Sequence, residues 1–339
     1  MKKEFQIKYM GDAVFLLGMK LDRVASGIFL HQSQYIQRKL QLPDAYCPLD
    51  QKSYLSKAST TDQECFQALN INYQAIIGSL NYLRILTRPN ISFSVSKLSQ
   101  FLENPGLTHY TAALKVLFFL KGTMFCRLNF RNQSSFNLQS FIDADWANCP
   151  DTRCSHTGFL VLRDSHLISW KSTKQATVSL STTKAEYKVL TNACKDVIWI
   201  QILSSEILPG CQESSAVVHI DNRGTINLAL SQVSQNGFRT KQIDLQLHFI
   251  CDLIARKLIK ITHVSGLKNF ADFLTKPVGK TIIARAISIF ATSTPSISAL
   301  CSQARGMRAC QNSYSVALHS PDIIMQSIRD ELRLDALVQ

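Results

Sequence analysis

No two of the ten cysteines in this 339-residue sequence are spaced C-x-x-C. That speaks against a zinc ribbon or a thioredoxin-like dithiol. Ten cysteines are also too sparse for a disulfide scaffold, so reduced, mostly buried thiols are expected. No apolar run reaches the roughly 18 residues of a membrane span, and no transmembrane helix is expected. The opening MKKEFQIKYMGDAVF lacks the apolar core and cleavage site of a secretory signal. An intracellular chain, cytoplasmic or nuclear, is the expectation. Acidic residues are scarce beside basic ones, 24 against 37, a net charge of +13. Such an excess implies an anionic partner, nucleic acid or a membrane surface. Most of it falls within residues 1–279. What is present is core-forming material: 46% hydrophobic and 18% charged residues exclude wholesale disorder. There are no internal repeats.

The hydrophobic rhythm divides the chain into three. Residues 1–130 begin with strand-like stretches at 13–21 and 27–30, broken by Gly18 and Gly27, then show helical patterns at 33–40, 72–86, 91–102 and 109–120. Thr108 is the expected N-cap of the last helix, and residues 46–70 read as a polar loop. Residues 136–279 change rhythm. Strands are expected at 138–145, 157–163, 167–171, 216–220 and 258–264, with 177–180 as an extension of the sheet. Helices are expected at 182–207, 223–230, 241–257 and 269–275. Strands first, then alternating helix and strand, predict an α/β domain with a mixed sheet. Residues 280–339 form an unassigned tail with a terminal helix expected from Ser320 onward.

Four acids in the middle segment stand out. Asp143 and Asp221 each end a predicted strand, and Asp145 points the same way as Asp143. Glu186 lies on the long helix with Leu190, Ala193 and Val197 on its own face, so it shares the buried stripe. Asp272 lies in the short helix after the last strand. Each has a plainer reading: Asp221 as a helix N-cap, Asp272 as a solvated acid, Asp143 in a surface pair, Glu186 at the edge of its stripe. As a group they are more telling. Ligands of open α/β sheets bind beyond the carboxyl ends of the strands. Converging carboxylates there need a counter-charge, which hard divalent cations supply.

The stretches that carry these acids are FIDADWANCPDTRCSHTGFLV, ISWKSTKQATVSLSTTKAEY, VVHIDNRGTINLA, RTKQIDLQLHFI and NFADFLTKP. They resemble the ribonuclease H domain of copia-type long-terminal-repeat retrotransposon Pol polyproteins. Upstream, FLLGMKLDR, LHQSQYIQRKL, IIGSLNYLRILTRPNISFSVSKLSQFLENP and HYTAALKVLFFLKGT resemble the end of that family's reverse transcriptase and its connection. The resemblance implies a ribonuclease H-like mixed sheet flanked by helices at 136–279. It implies a truncated, helix-rich palm end and connection at 1–130. Asp143, Glu186, Asp221 and Asp272 would be catalytic acids holding two Mg²⁺ ions, with Mn²⁺ a substitute. The activity implied is hydrolysis of RNA in RNA–DNA hybrids. The implied partners are the hybrid and, in an intact element, the upstream reverse transcriptase portion inside a virus-like particle, with no membrane. Arg223, Arg239, Lys241, Lys171 and Lys174 are candidate contacts to nucleic acid, with solvated surface charge as the plainer reading.

Several positions depart from the family pattern. Lys184 stands where an acid is usual, and Gln242 where a histidine is usual. Thr262, with His263 beside it, falls where some related ribonucleases H carry a loop histidine; His263 also reads as a strand end. A reverse transcriptase needs an aspartate pair, and no Asp-Asp dipeptide occurs anywhere. With fingers and most of the palm missing, no polymerase activity is expected from this chain alone. Trp146, Trp170 and Trp199 could stack on bases, but packing in or at the edge of the core is the expectation. Cys149, Cys154 and His156 suit no familiar zinc spacing. The competing function is a decayed, non-catalytic remnant that at most binds nucleic acid.

Overall fold

The computed structural model describes residues 11–39, 45, 47–51, 55–131, 137–208, 214–231 and 241–292. Two five-stranded sheets organise them. The first opens with β1 (Phe15–Leu16), β2 (Met19–Val24) and β3 (Gly27–His31). The break expected at Gly18 within 13–21 is a turn between β1 and β2. Leu17 and Gly18 both take positive φ, 49° and 72°, the mark of a two-residue hairpin turn matched to strand twist.

Helices α1 (Ser33–Lys39), α2 (Thr60–Gln67), α3 (Tyr73–Leu86), α4 (Ser92–Leu98) and α5 (Leu107–Gly122) follow. Helix α2 corrects the polar-loop reading of 46–70. Ser59 caps it by accepting the Asp62 N–H at 3.2 Å, and Phe66 packs on Tyr73 and Tyr110. One cap and one buried aromatic decide what a polar composition hides. The N-cap of α5 is Gly106, not Thr108. Thr108 instead donates its N–H and hydroxyl to the Asp62 carboxylate, both at 3.2 Å, tying α5 to α2. The helix expected over 91–102 is α4 flanked by two 3₁₀ turns. Strand β4 (Arg127–Arg131), not foreseen, then pairs with β3.

The second sheet is built from β5 (Leu138–Asp145), β6 (His156–Arg163) and β7 (His166–Lys174). After them come α6 (Thr182–Ile207), β8 (Ala216–Ile220), α7 (Arg223–Leu230), α8 (Lys241–Ala255) and β9 (Ile259–His263). Its order is β7-β6-β5-β8-β9. The first three strands are an antiparallel meander; β8 and β9 join in parallel. This is the ribonuclease H-like mixed sheet flanked by helices that the resemblance implies. Residues 177–180 do not extend it. There the Trp146 indole donates to the Ser179 carbonyl at 2.8 Å, and the Ser179 hydroxyl to Gln175 at 3.0 Å, so side chains hold this segment as a loop. The short helix expected over 269–275 is a 3₁₀ turn at Asp272–Leu274. Helix α9 (Lys280–Phe290) and β10 (Ala291–Thr292) follow, and β10 pairs with β4. The terminal helix expected from Ser320 lies outside the described residues.

Strand alternation assigns successive residues to two cores. Ile142, Phe159 and Val161 pack with Leu190 and Val197 of α6 and Ile250 of α8. Phe141, Leu160 and Leu162 face the other way, into a core shared with Ile77, Val95 and Val116 of the front helices and Ile283 of α9. With both faces covered, β6 is buried from His156 to Leu162. With the faces packed, side chains at the strand ends remain for chemistry, among them those where β5 and β8 finish.

Candidate active site

Asp143 lies near the end of β5, only 5% exposed. The parallel register sets Phe141 opposite His219, so two residues further on Asp143 and Asp221 emerge at one rim. Asp221 is not an N-cap: Asn222 fills that role on α7, accepting the Thr225 N–H at 3.0 Å. Glu186 comes up from the first turns of α6 between Ala185 and Tyr187, both buried, and is itself 4% exposed. Its Oε1 accepts the Ala144 N–H at 3.0 Å, while Oε2 is buried with no hydrogen-bond partner. Ligand oxygens of Asp143, Glu186 and Asp221 all lie within 4.8 Å of one another.

Asp272, the fourth predicted acid, stands beside this trio and is engaged by a lysine. Lys276 Nζ lies 2.9 Å from Asp272 Oδ1 and 3.6 Å from Asp143 Oδ2. The Thr275 hydroxyl donates to Asp143 in a short hydrogen bond. Asn269, fully buried, donates to the Ile142 carbonyl at 2.8 Å and lies beside Asp221, where it partly offsets the rise that burial causes. Asn269, Thr275 and Lys276 were not singled out from sequence. The one signal for them was their place in the NFADFLTKP stretch. Gly158 makes their approach possible: a Cβ there would sit 2.5 Å from Thr275 and 2.9 Å from Leu274.

The electrostatics are those of a site short of positive charge. Burial first, then Asp143 and Asp221, push Glu186 well above its ordinary 4.5. Burial and the Asp143 charge likewise raise Asp221 and Asp272. Asp145 is raised too, chiefly by burial. Burial alone would lower Lys276, but Asp143 and Asp272 outweigh it and raise it. Three carboxylates, one with an orphaned buried oxygen, form an all-oxygen donor set. That set fits a hard divalent cation such as Mg²⁺.

The other predicted residues are less central. Arg223, the first residue of α7, and Lys171 are exposed, and Lys174 is half-buried at the end of β7. Arg239 lies outside the described residues, and of Lys241 only the helical backbone is described. His263 ends β9, exposed. Trp170 packs in the front core, its indole donating to the Arg84 carbonyl at 2.9 Å. Trp199 corrects the packing expectation: it is 62% exposed, on the outer face of α6.

No family model matches the chain. It is 35% identical over 288 residues to the retrovirus-related Pol polyprotein from transposon TNT 1-94 of Nicotiana tabacum, covering 82% of this chain and 21% of that protein. It is 32% identical over 291 residues to the corresponding polyprotein from transposon RE1 of Arabidopsis thaliana, covering 83% and 19%. The chain thus spans about a fifth of the length of these relatives. Among solved structures it is similar to the N-terminal RNase H domain of rv2228c from Mycobacterium tuberculosis, solved as a maltose binding protein fusion. That likeness has 16% identity and a TM-score of 0.30, over 45% of this chain and 98% of that one. A second similar structure is LC11-RNase H1 in complex with an RNA/DNA hybrid, at 12% identity and a TM-score of 0.31, over 41% and 94%. Among the described residues no helix is long and apolar enough to cross a membrane.

Proposed function

The chain belongs to the family of retrovirus-related transposon Pol polyproteins, and on that premise we propose that it is a metal-dependent ribonuclease H-type endonuclease. Its substrate is an RNA–DNA hybrid, of which it hydrolyses the RNA strand. The observation that carries the reading is the buried trio of Asp143, Glu186 and Asp221 at one rim of the sheet, with a carboxylate oxygen left unpaired.

Asp143, Glu186 and Asp221 would hold a divalent cation, with Asp272 contributing to a second beside Asp143. Such ions, when bound, lower the pKa of an attacking water and stabilise the departing oxygen of a phosphodiester. The chain's own residues do the rest. The Ala144 N–H fixes Glu186. Thr275 orients Asp143, and Asn269 stands beside Asp221. Lys276 offsets part of the negative charge at Asp143 and Asp272. Arg223, Lys171 and Lys174 are proposed contacts to phosphates, which position a duplex without reading its sequence. Polymerase chemistry is not proposed, since no Asp-Asp pair is present.

The test is cleavage of an end-labelled RNA–DNA hybrid by the full chain in Mg²⁺ and in EDTA. Wild type is expected to cut only with metal, and Asp143→Asn to be slower by about 10²–10³-fold. Equal cutting by both, or none by either, overturns the proposal, and the second result leaves the non-catalytic remnant.

A further inference from the structure

Next to the acid cluster is a second concavity of about 220 Å³. Its walls come from segments distant in sequence. Phe93 and Lys97 belong to α4 of the front segment; Cys149 and Lys174 belong to the β5–β6 turn and the end of β7. Asp145 and Lys276 line the side facing the acids. Lys276 and Thr275, both in the lining, in turn contact Asp143, so the concavity shares residues with the candidate active site.

Two further lysines, Lys97 and Lys174, line it, one from each of these distant segments. Among the described residues neither Lys97 nor Lys174 forms an ion pair with a carboxylate. Lys174 lies beside the Cys149 thiol. The one acid in the lining, Asp145, is engaged by the Asn148 amide. Neighbouring groups register the positive field. Burial would raise the Cys149 thiol, yet Thr152, Lys174 and Lys97 bring it down to about 7. His156, lowered first by burial and then by Lys97, Arg84 and Lys174, is held at about 3. Apolar wall residues such as Leu49, Leu55 and Phe93 keep the local dielectric low and focus that field.

We propose that this concavity receives a backbone phosphate of the nucleic-acid strand, next to the phosphate presented to the acid cluster, with Lys97 and Lys174 as its donors. The inference rests on the ribonuclease reading and extends it. The helical front segment becomes one jaw of the substrate groove, and Lys97 becomes a binding residue outside the ribonuclease H-like sheet.

The experiment is fluorescence anisotropy of a labelled hybrid with the full chain in EDTA, so that nothing is cut, across a KCl series. Lys97→Gln and Lys174→Gln are each expected to weaken binding, and to reduce the slope of log K against log[KCl] by about 0.9. The loss should be the same for two unrelated hybrid sequences, and Lys97→Arg should retain the wild-type slope. Lys260→Gln, exposed on the opposite edge strand, should change neither. Melting temperatures of all variants verify folding. Wild-type binding with an unaltered slope in Lys97→Gln overturns the inference and leaves the nuclease reading intact. A wild-type chain that binds no hybrid overturns both.

Discussion

Among the almost fully enclosed charged side chains, two are treated in opposite ways. Arg88, in the front segment, is 1% exposed. Its guanidinium donates to Asn90 at 3.2 Å, to the Thr123 carbonyl at 3.1 Å and, in a short bond, to the Thr123 hydroxyl. It also lies over the Phe119 ring. Glu186 is 4% exposed, has one bond from Ala144, and faces two other carboxylates with an oxygen unpaired. Enclosing a charge costs several kcal/mol unless its hydrogen-bonding capacity is met. Around Arg88 the fold meets that need with its own acceptors. Around Glu186 it leaves the need open, and places a second and third like charge beside it. The first arrangement serves stability. The second is relieved by a proton or by an added cation, which is what the proposed metal site requires.

The widest separation between the two regions should come from Glu186→Gln. Metal-dependent hybrid cleavage is expected to fall by about 10²–10³-fold, while the metal-free chain melts higher because like-charge repulsion is relieved. A variant that is both inactive and less stable in EDTA would break the comparison. Arg88→Met should do the reverse. It orphans the acceptors at Asn90 and Thr123 and is expected to cost about 2–4 kcal/mol in chemical denaturation, with cleavage per folded molecule unchanged. Between the two, Gly158→Ala drives a methyl into Thr275 and Leu274. It should cost about 1–3 kcal/mol and also slow cleavage, because Thr275 holds Asp143.

The smallest effect is in pH. Glu186, Asp221 and Asp272 are raised in the folded chain, so they bind more protons folded than unfolded. The stability they contribute is fully present below the ordinary carboxylate values and is lost as pH rises through the folded ones. In EDTA, the melting temperature of Glu186→Gln minus that of wild type should therefore grow from about pH 4 upward. Saturating Mg²⁺ should raise wild type above pH 5 and barely move Glu186→Gln. A flat difference would mean the acids are satisfied without metal.

The parts legible beforehand were those governed by local periodicity. The bounds of β5, α6, β8 and α7 follow from alternation or 3.6-residue spacing. Glu186 declared itself because Leu190, Ala193 and Val197 mark its face as buried. Helix α2 and strand β4 were illegible because one distant aromatic pair and one sheet edge decide them. The residues around the acids were illegible for the same cause. Asn269 serves by reaching Ile142, and Thr275 by reaching Asp143, contacts that no sequence spacing records. Lys97 carries no local signal at all; only the concavity it shares with the β5–β6 turn sets it apart.

Sequence alone thus determined which side chains face inward, the order of strands and helices in the second half, and four candidate acids, Asp143, Glu186, Asp221 and Asp272. Those properties depend on neighbours a few residues apart. Tertiary structure alone decided that the front helices and the mixed sheet share a core. It also decided that Lys276, not a fourth member of the trio, meets Asp272, and that one acid keeps an unpaired oxygen. Such matters depend on distances between residues far apart in the chain, and those distances are set only when both faces of the sheet are packed.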